Sequence, residues 1–392
     1  EYAAAQAAAD AKLFTPPPYA VYRRPARDRN YEFWGDQVFY GDNPPAAAVI
    51  SWINRKPAGD VKLKITDAAG KDVREIAGSV LAKSTGAGIQ TACWDLRVQP
   101  TAAPPPAAGR GRGRGEGEAG RGEPQGTTAE DRTTSPAGGR QAAEPAAQTP
   151  PAAPEPSPFG AGCGGSGGFG GGGFGGGGVN TAGPFVLSGS YKVSLIVDGK
   201  TVDTKTLRVN DDPEVALTSV ERKRMFDQAM EMHTLQARIT DAATAHRSLA
   251  QQITQLATTL NDRSDVPADV KSAFDAVKKD VEALAPKLAI PAGGRGGGGR
   301  GNAPEALLAK VGQAKNGLMA GMAPGEPTTT AYAGAKAQAP KAIADLNAVI
   351  AKAGPLAASL TRYNLTLTVP APVKAPDAAP AISDWVLRQR PD

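Results

Sequence analysis

Histidine and cysteine are scarce in this chain, with two of each among 392 residues. His233 and His246 stand 13 residues apart, nearly four helical turns, so both cannot hold one metal ion. Cys93 and Cys163 are too few for a disulfide framework or a four-ligand zinc site. No H-E-x-x-H, G-x-S-x-G or Walker-type loop occurs. No run of 18 or more apolar residues exists, so no transmembrane segment is expected. Aromatics are sparse too, with 4 Trp, 8 Tyr and 9 Phe, and the net charge of +5 is too mild to imply nucleic acid. The chain starts at Glu1 rather than Met with no signal peptide in view, which suggests a processed protein or a fragment.

Glycine and proline are abundant instead, 47 and 34 residues, about a fifth of the chain. Such a share predicts long unstructured stretches beside one or two modest cores. Residues 1–12 are Ala-rich and predict a helix, which Pro16-Pro17-Pro18 ends. With the aromatic stretch Tyr19–Tyr40 they form an N-terminal arm over 1–40. Short strands are expected at Ala47–Asn54, Val61–Thr66, Asp72–Ile76 and Ile89–Leu96. Val61, Leu63 and Ile65 alternate with Lys62 and Lys64, the pattern of a strand with one wet face. Asp67-Ala68-Ala69-Gly70 predicts a hairpin turn.

Residues 100–183 are expected to be disordered: 14 of the 19 positions from Gly160 to Gly178 are glycine. Strands return at Tyr191–Val197 and Thr201–Val209 around Asp198-Gly199, a strong hairpin signal. An isolated hairpin is marginal in water. It is therefore expected to complete the earlier sheet, giving one β-sandwich from 41–99 plus 184–212 with 100–183 inserted.

After Pro213 the period lengthens to that of helices. Thr218-Ser219-Val220-Glu221 is a capping box, followed by a seam through Met225, Gln228, Met232, Leu235, Ile239, Ala242, His246, Leu249, Ile253, Leu256 and Leu260. A second helix carries Val270 to Leu288, a third Leu307, Val311, Ala314 and Leu318, and a fourth Ala339 to Leu360. Pro340 and Pro355 should kink or break the fourth. The pattern predicts an antiparallel four-helix bundle over 213–365, with a Gly-rich loop at 291–303 and a Pro-rich tail at 366–392.

The arginine-glycine runs at Arg110–Arg114 and Arg295–Arg300 invite an RNA-binding reading. Residues 100–183, however, carry 6 arginines against 7 carboxylates, so counterion release would supply little affinity. Gly160-Ala161-Gly162-Cys163-Gly164-Gly165 fits G-x-G-x-x-G without the flanking strand and helix that motif needs. Seam histidines are expected to be hydrogen-bonded core residues, and Asp211/Asp212 to serve a turn. No catalytic, cofactor-binding or metal-ligating constellation emerges. Trp34, Trp52 and Trp94 are candidate sugar contacts, with core packing the commoner role for Trp94; Trp385 in the tail is a candidate partner contact.

The ordered set Gly41-Asp42-Asn43-Pro44-Pro45, Asp67–Lys71, Trp94-Asp95-Leu96-Arg97, Gly189-Ser190-Tyr191-Lys192-Val193 and Val197-Asp198-Gly199-Lys200 resembles the C-terminal region of bacterial exported proteins with sortilin-like, BNR-repeat β-propellers, often labelled glycosyl hydrolases. The resemblance covers roughly 13–99 and 184–290. It implies an immunoglobulin-like sandwich followed by helices, and a periplasmic, cell-surface or secreted location. No S-x-D-x-G-x-T-W Asp box occurs here, so the family's catalytic residues are expected outside this chain. Taken together, an α+β multidomain module without catalysis is expected, packing on a propeller or protein partner, its helices able to dimerise the assembly. The alternatives are a free-standing periplasmic or surface scaffold subunit, and a carbohydrate-binding module.

Overall fold

The computed structural model describes residues 10–20, 47–103, 180–213, 215–290 and 306–375. Among them are two sheets and four α-helices, a mixed α and β architecture. One sheet has the order β1 (Ala11–Leu13), β3 (Ala48–Asn54), β6 (Gly88–Trp94). The other, curled into a half-barrel, has the order β2 (Tyr19–Ala20), β8 (Lys200–Asn210), β7 (Gly189–Val197), β4 (Val61–Thr66), β5 (Asp72–Ile76).

Alternation in β4 does what the sequence implies. Val61, Leu63 and Ile65 are buried while Lys62 and Lys64 stay half-buried at the other face. β4 pairs antiparallel with β7, Val61 opposite Val197, although residues 104–179 intervene in sequence. Asp198 and Gly199, at φ 48° and 79°, close the β7–β8 hairpin in the left-handed backbone that an Asp-Gly pair tolerates. The Asp198 carboxylate also accepts the backbone N–H groups of Gly59 and Asp60, both at 2.9 Å, which ties the approach to β4 onto the hairpin.

The faces of the two sheets share one core of Ile50, Trp52, Trp94, Leu63, Ile65, Val193, Leu195 and Leu207. Trp94 meets Tyr191 edge-on at 5.4 Å, and the Tyr191 hydroxyl donates to Leu187 O at 2.6 Å. Burial pushes that hydroxyl's pKa well above the usual tyrosine value.

Three local expectations need correction. Ala11 and Lys12 belong to strand β1, not to a helix over 1–12: cross-strand bonds to β3 and a bond from Leu13 N to the Asp203 carboxylate override alanine's helical preference. The strand expected to run to Leu96 ends at Trp94. Leu96 sits at φ 56°, buried, inside a tight turn in which Trp94 Nε1 donates to Arg97 O at 2.9 Å. The ends of the expected disordered stretch are also ordered: Thr101 N donates to Thr181 O and Val98 N to Pro184 O, both at 3.0 Å.

The helices α1 (Ser219–Asn261), α2 (Ala268–Leu288), α3 (Leu307–Leu318) and α4 (Glu326–Thr361) pack around a second core. The capping box starts α1 as its sequence implies, Thr218 accepting from Glu221 N and Glu221 from Thr218 N. α4 runs unbroken through Pro340 and Pro355. Its buried stripe from Ala331 to Leu360, rich in alanine, packs closely enough against the neighbouring helices to outweigh the missing N–H groups. Beyond α4 the chain turns back as an extended strap. Gln252 pairs with both the N–H and the carbonyl of Thr368, and Asn347 does the same for Val373. The strap occupies the start of what the sequence presents as a tail.

Glycine should be the better tolerated small residue at Leu96. Leu96→Ala is expected to destabilise the chain by about 2–4 kcal/mol through the lost core contacts. Leu96→Gly should cost roughly 1 kcal/mol less, because it relieves the left-handed strain. Urea unfolding followed by tryptophan fluorescence checks the order; a Gly variant weaker than the Ala variant contradicts the strain.

Candidate functional site

The residues with unusual electrostatics converge where the sheets meet the helices. The turn after Trp94 aims Arg97 at the helices: its Nη1 donates to Gly183 O at 2.9 Å and reaches Met319 Sδ of α3 at 3.5 Å. The guanidinium carbon lies 3.7 Å from the centre of the Phe185 ring, and Phe185 touches both hydrophobic cores. Gly183 is required here, since a Cβ would come within 2.3 Å of Val98 O, a backbone atom with no freedom to yield.

Beside Arg97 lies Lys315 of α3, with no solvent exposure. Its Nζ donates to Asn180 O and Ala182 O, both at 2.8 Å, and to Gln236 Oε1 of α1 at 2.5 Å. Three donors of an ammonium thus meet three neutral acceptors. With no carboxylate among these partners, burial and then the Arg97 charge push the Lys315 pKa down to about 7. Gln236, also fully buried, donates its Nε2 to Asn180 O at 2.8 Å, and the Asn180 amide donates to Asn316 Oδ1 of α3 at 2.8 Å.

His233, one turn before Gln236, places Nε2 2.8 Å from Gln99 O. A carbonyl only accepts, so Nε2 carries the hydrogen and Nδ1 is bare; that nitrogen is buried without a hydrogen-bond partner. Burial, then the Lys315 charge, lower its pKa to about 4, against the opposing pull of the Gln99 carbonyl. His246 is the ordinary case on the same helix, its Nε2 on Val281 O of α2 at 2.8 Å. Both histidines are hydrogen-bonded and buried, as their seam positions imply.

This joint can hold, orient and respond to protons, but it offers no entry to a substrate. The cavity beside it, lined by Phe185, Arg222, Met225 and Met319, measures about 10 Å³. A larger groove of about 340 Å³ lies between α2 and α4, lined mainly by Val270, Ala273, Val277, Pro355 and Leu356, with no cluster of ionisable groups. Among the described residues, no group of three or more His, Cys, Asp or Glu could hold a metal. Asp211 is used in the turn before α1, accepting from Ser188 Oγ at 2.8 Å and facing Arg222 at 3.5 Å.

Of the tryptophans singled out, Trp52 is fully buried between the sheets, so its ring presents no face to a sugar. Trp94 is a core residue. Trp34, Trp385, the arginine-glycine runs, the glycine tract with Cys163 and the 291–303 loop lie outside the described residues. By length and composition α4 could cross a membrane, which the search for an unbroken apolar run did not flag; here its apolar stripe is buried against other helices.

Sequence reasoning missed Lys315 by taking Ala314 as the seam residue. The signal was present: Lys315 stands four residues after Val311 and three before Leu318, a core position by helical spacing.

No protein-family model matches the chain, and neither the curated proteins nor the solved structures contain a match to it.

The Lys315 geometry sets a pH dependence. Folded, the group loses its proton near pH 7; unfolded, near 10.5, so between these values the unfolded chain binds more protons. Stability should therefore rise as pH increases across that window. Lys315→Met should abolish this contribution. Urea midpoints at intervals from pH 7 to 10 test it, and an unchanged slope in the variant contradicts the assignment.

Proposed function

We propose that this chain is a non-catalytic structural and interaction module from the C-terminal region of an exported, sortilin-like BNR-repeat propeller protein. On this reading the two sheets form an immunoglobulin-like sandwich and the four helices an antiparallel bundle, with the propeller or another protein as partner.

The observation that carries the proposal is the use made of buried ionisable groups. Lys315, His233, His246 and Arg222 each spend polar atoms on backbone carbonyls of the chain itself, and Arg222 also faces Asp211. They join elements to one another, and the cavity near the joint is too small for a substrate. Catalytic groups need the opposite arrangement, perturbed and facing a space where a reactant fits. Export has separate support: Cys93 is disulfide-bonded, and Cys163 is the only other cysteine in the chain. Disulfides persist in oxidising compartments and are rare in the cytosol.

Three measurements test these points. Reading the polypeptide upstream of Glu1 from its coding DNA should reveal several hundred residues with repeated Asp boxes; a signal peptide ending immediately before Glu1 overturns the propeller assignment in favour of a scaffold subunit. Non-reducing peptide mapping of protein from its native source should yield a peptide pair cross-linked through Cys93 and Cys163. Alkylation of both thiols without reductant contradicts export. Turnover of glycans by the purified chain would overturn the non-catalytic assignment.

A further inference from the structure

We propose that His233 is an acid-operated latch: protonation at Nδ1 releases the helices from the sheets while each keeps its own core. The joint is built for this in three respects. The ring bonds α1 to the 97–101 segment through Gln99 O, and Gln99 in turn is stitched to the sheet edge, its N donating to Val73 O and its Oε1 accepting from Glu75 N. The second imidazole nitrogen is buried with no acceptor to receive a new proton's hydrogen bond. Lys315, cationic at the acid pH that operates the latch, stands close enough to act on the ring.

The charged groups on the surrounding elements are Lys315 on α3, Arg97, Arg74 and Glu75 on the sheet side, and Glu231 and Arg238 on α1 itself. Lys315 acts on the ring most strongly, and it opposes a second positive charge. Glu231 is engaged with Tyr332 and Lys336 of α4. Glu75 is exposed at the sheet edge. A protonated His233 therefore gains no carboxylate partner by staying in place. It gains solvation by leaving, and leaving breaks the Gln99 bond. The cores do not depend on this bond: one lies between the sheets and the other among the helices, with Phe185 as their shared contact.

The size of the effect follows from linkage. With pKa values of about 4 in the closed joint and 6.5 when released, lowering the pH from 7.5 to 4.5 should favour release about 70-fold. Hydrogen–deuterium exchange of the full chain at these two pH values, corrected for intrinsic rate, reads this directly. Amides of 97–101, 180–183 and the His233 and Lys315 turns should lose protection by roughly that factor, while β4 and β7 keep theirs. His233→Gln, which preserves a donor for Gln99 O but cannot titrate, should remove the pH effect. An equal loss in that variant, no loss at all, or a loss spread evenly into β4 and β7 overturns the latch. If His233→Gln does not fold, imidazole NMR of the wild-type chain decides. A His233 midpoint well below 6.5, moving upward in Lys315→Met, supports the latch, and a midpoint at 6.5 or one indifferent to Lys315 overturns it.

Discussion

A buried ammonium with only neutral partners is the constraint around which this molecule is arranged. Lys315 has left water completely, and the cost of that transfer is tolerable only if every N–H finds an acceptor. Its three acceptors come from α1 and from residues 180–182, so satisfying one charge fixes a helix, a second helix and the segment approaching β7 with respect to each other. Gln236 is tied in twice, accepting from Lys315 and donating to Asn180 O. A hydrophobic contact in the same place would tolerate sliding; this arrangement does not.

The sheet side prepares its half of the contact by accepting local strain. Leu96 takes a backbone conformation that a branched side chain avoids, and in return its side chain enters the core while Arg97 is turned toward the helices. Arg97 and Lys315 bring two basic side chains close together, Lys315 held by neutral acceptors and Arg97 lying over the Phe185 ring. The joint is consequently an electrostatically loaded one, in which the Lys315 hydrogen bonds are complete while His233 Nδ1 stays bare.

Much of the architecture was legible because its determinants are local. The Val61, Leu63, Ile65 alternation, the Asp198-Gly199 turn and the Thr218–Glu221 box each specify their geometry within a few residues, and each stands where the sequence puts it. What escaped depends on partners distant in sequence. β1 is a strand because β3 lies alongside it, against the preference of its own alanines. Trp52 looks as available to a ligand as any tryptophan until both sheets close over it. Pro340 and Pro355 should interrupt a lone helix, and only the packing of the whole α4 stripe explains their tolerance. At the joint, the histidines were recognisable as seam residues, whereas Lys315 was hidden by an adjacent alanine that also fits the period. The strap was hidden differently: its partners are the amides of Gln252 and Asn347, which carry no sequence pattern.

The paired termini of the interrupted segment have a consequence for how this protein can change. Thr101 and Thr181 are hydrogen-bonded, and the Val98 and Pro184 pair beside them continues the ladder. The chain therefore leaves and re-enters the domain at neighbouring points, and for a flexible connection between such points the closure entropy grows only with the logarithm of its length. Doubling or halving the segment would alter that cost by about 0.6 kcal/mol. The sheets are thus nearly indifferent to what is spliced there, and sequence can accumulate or be lost at this point with little effect on folding.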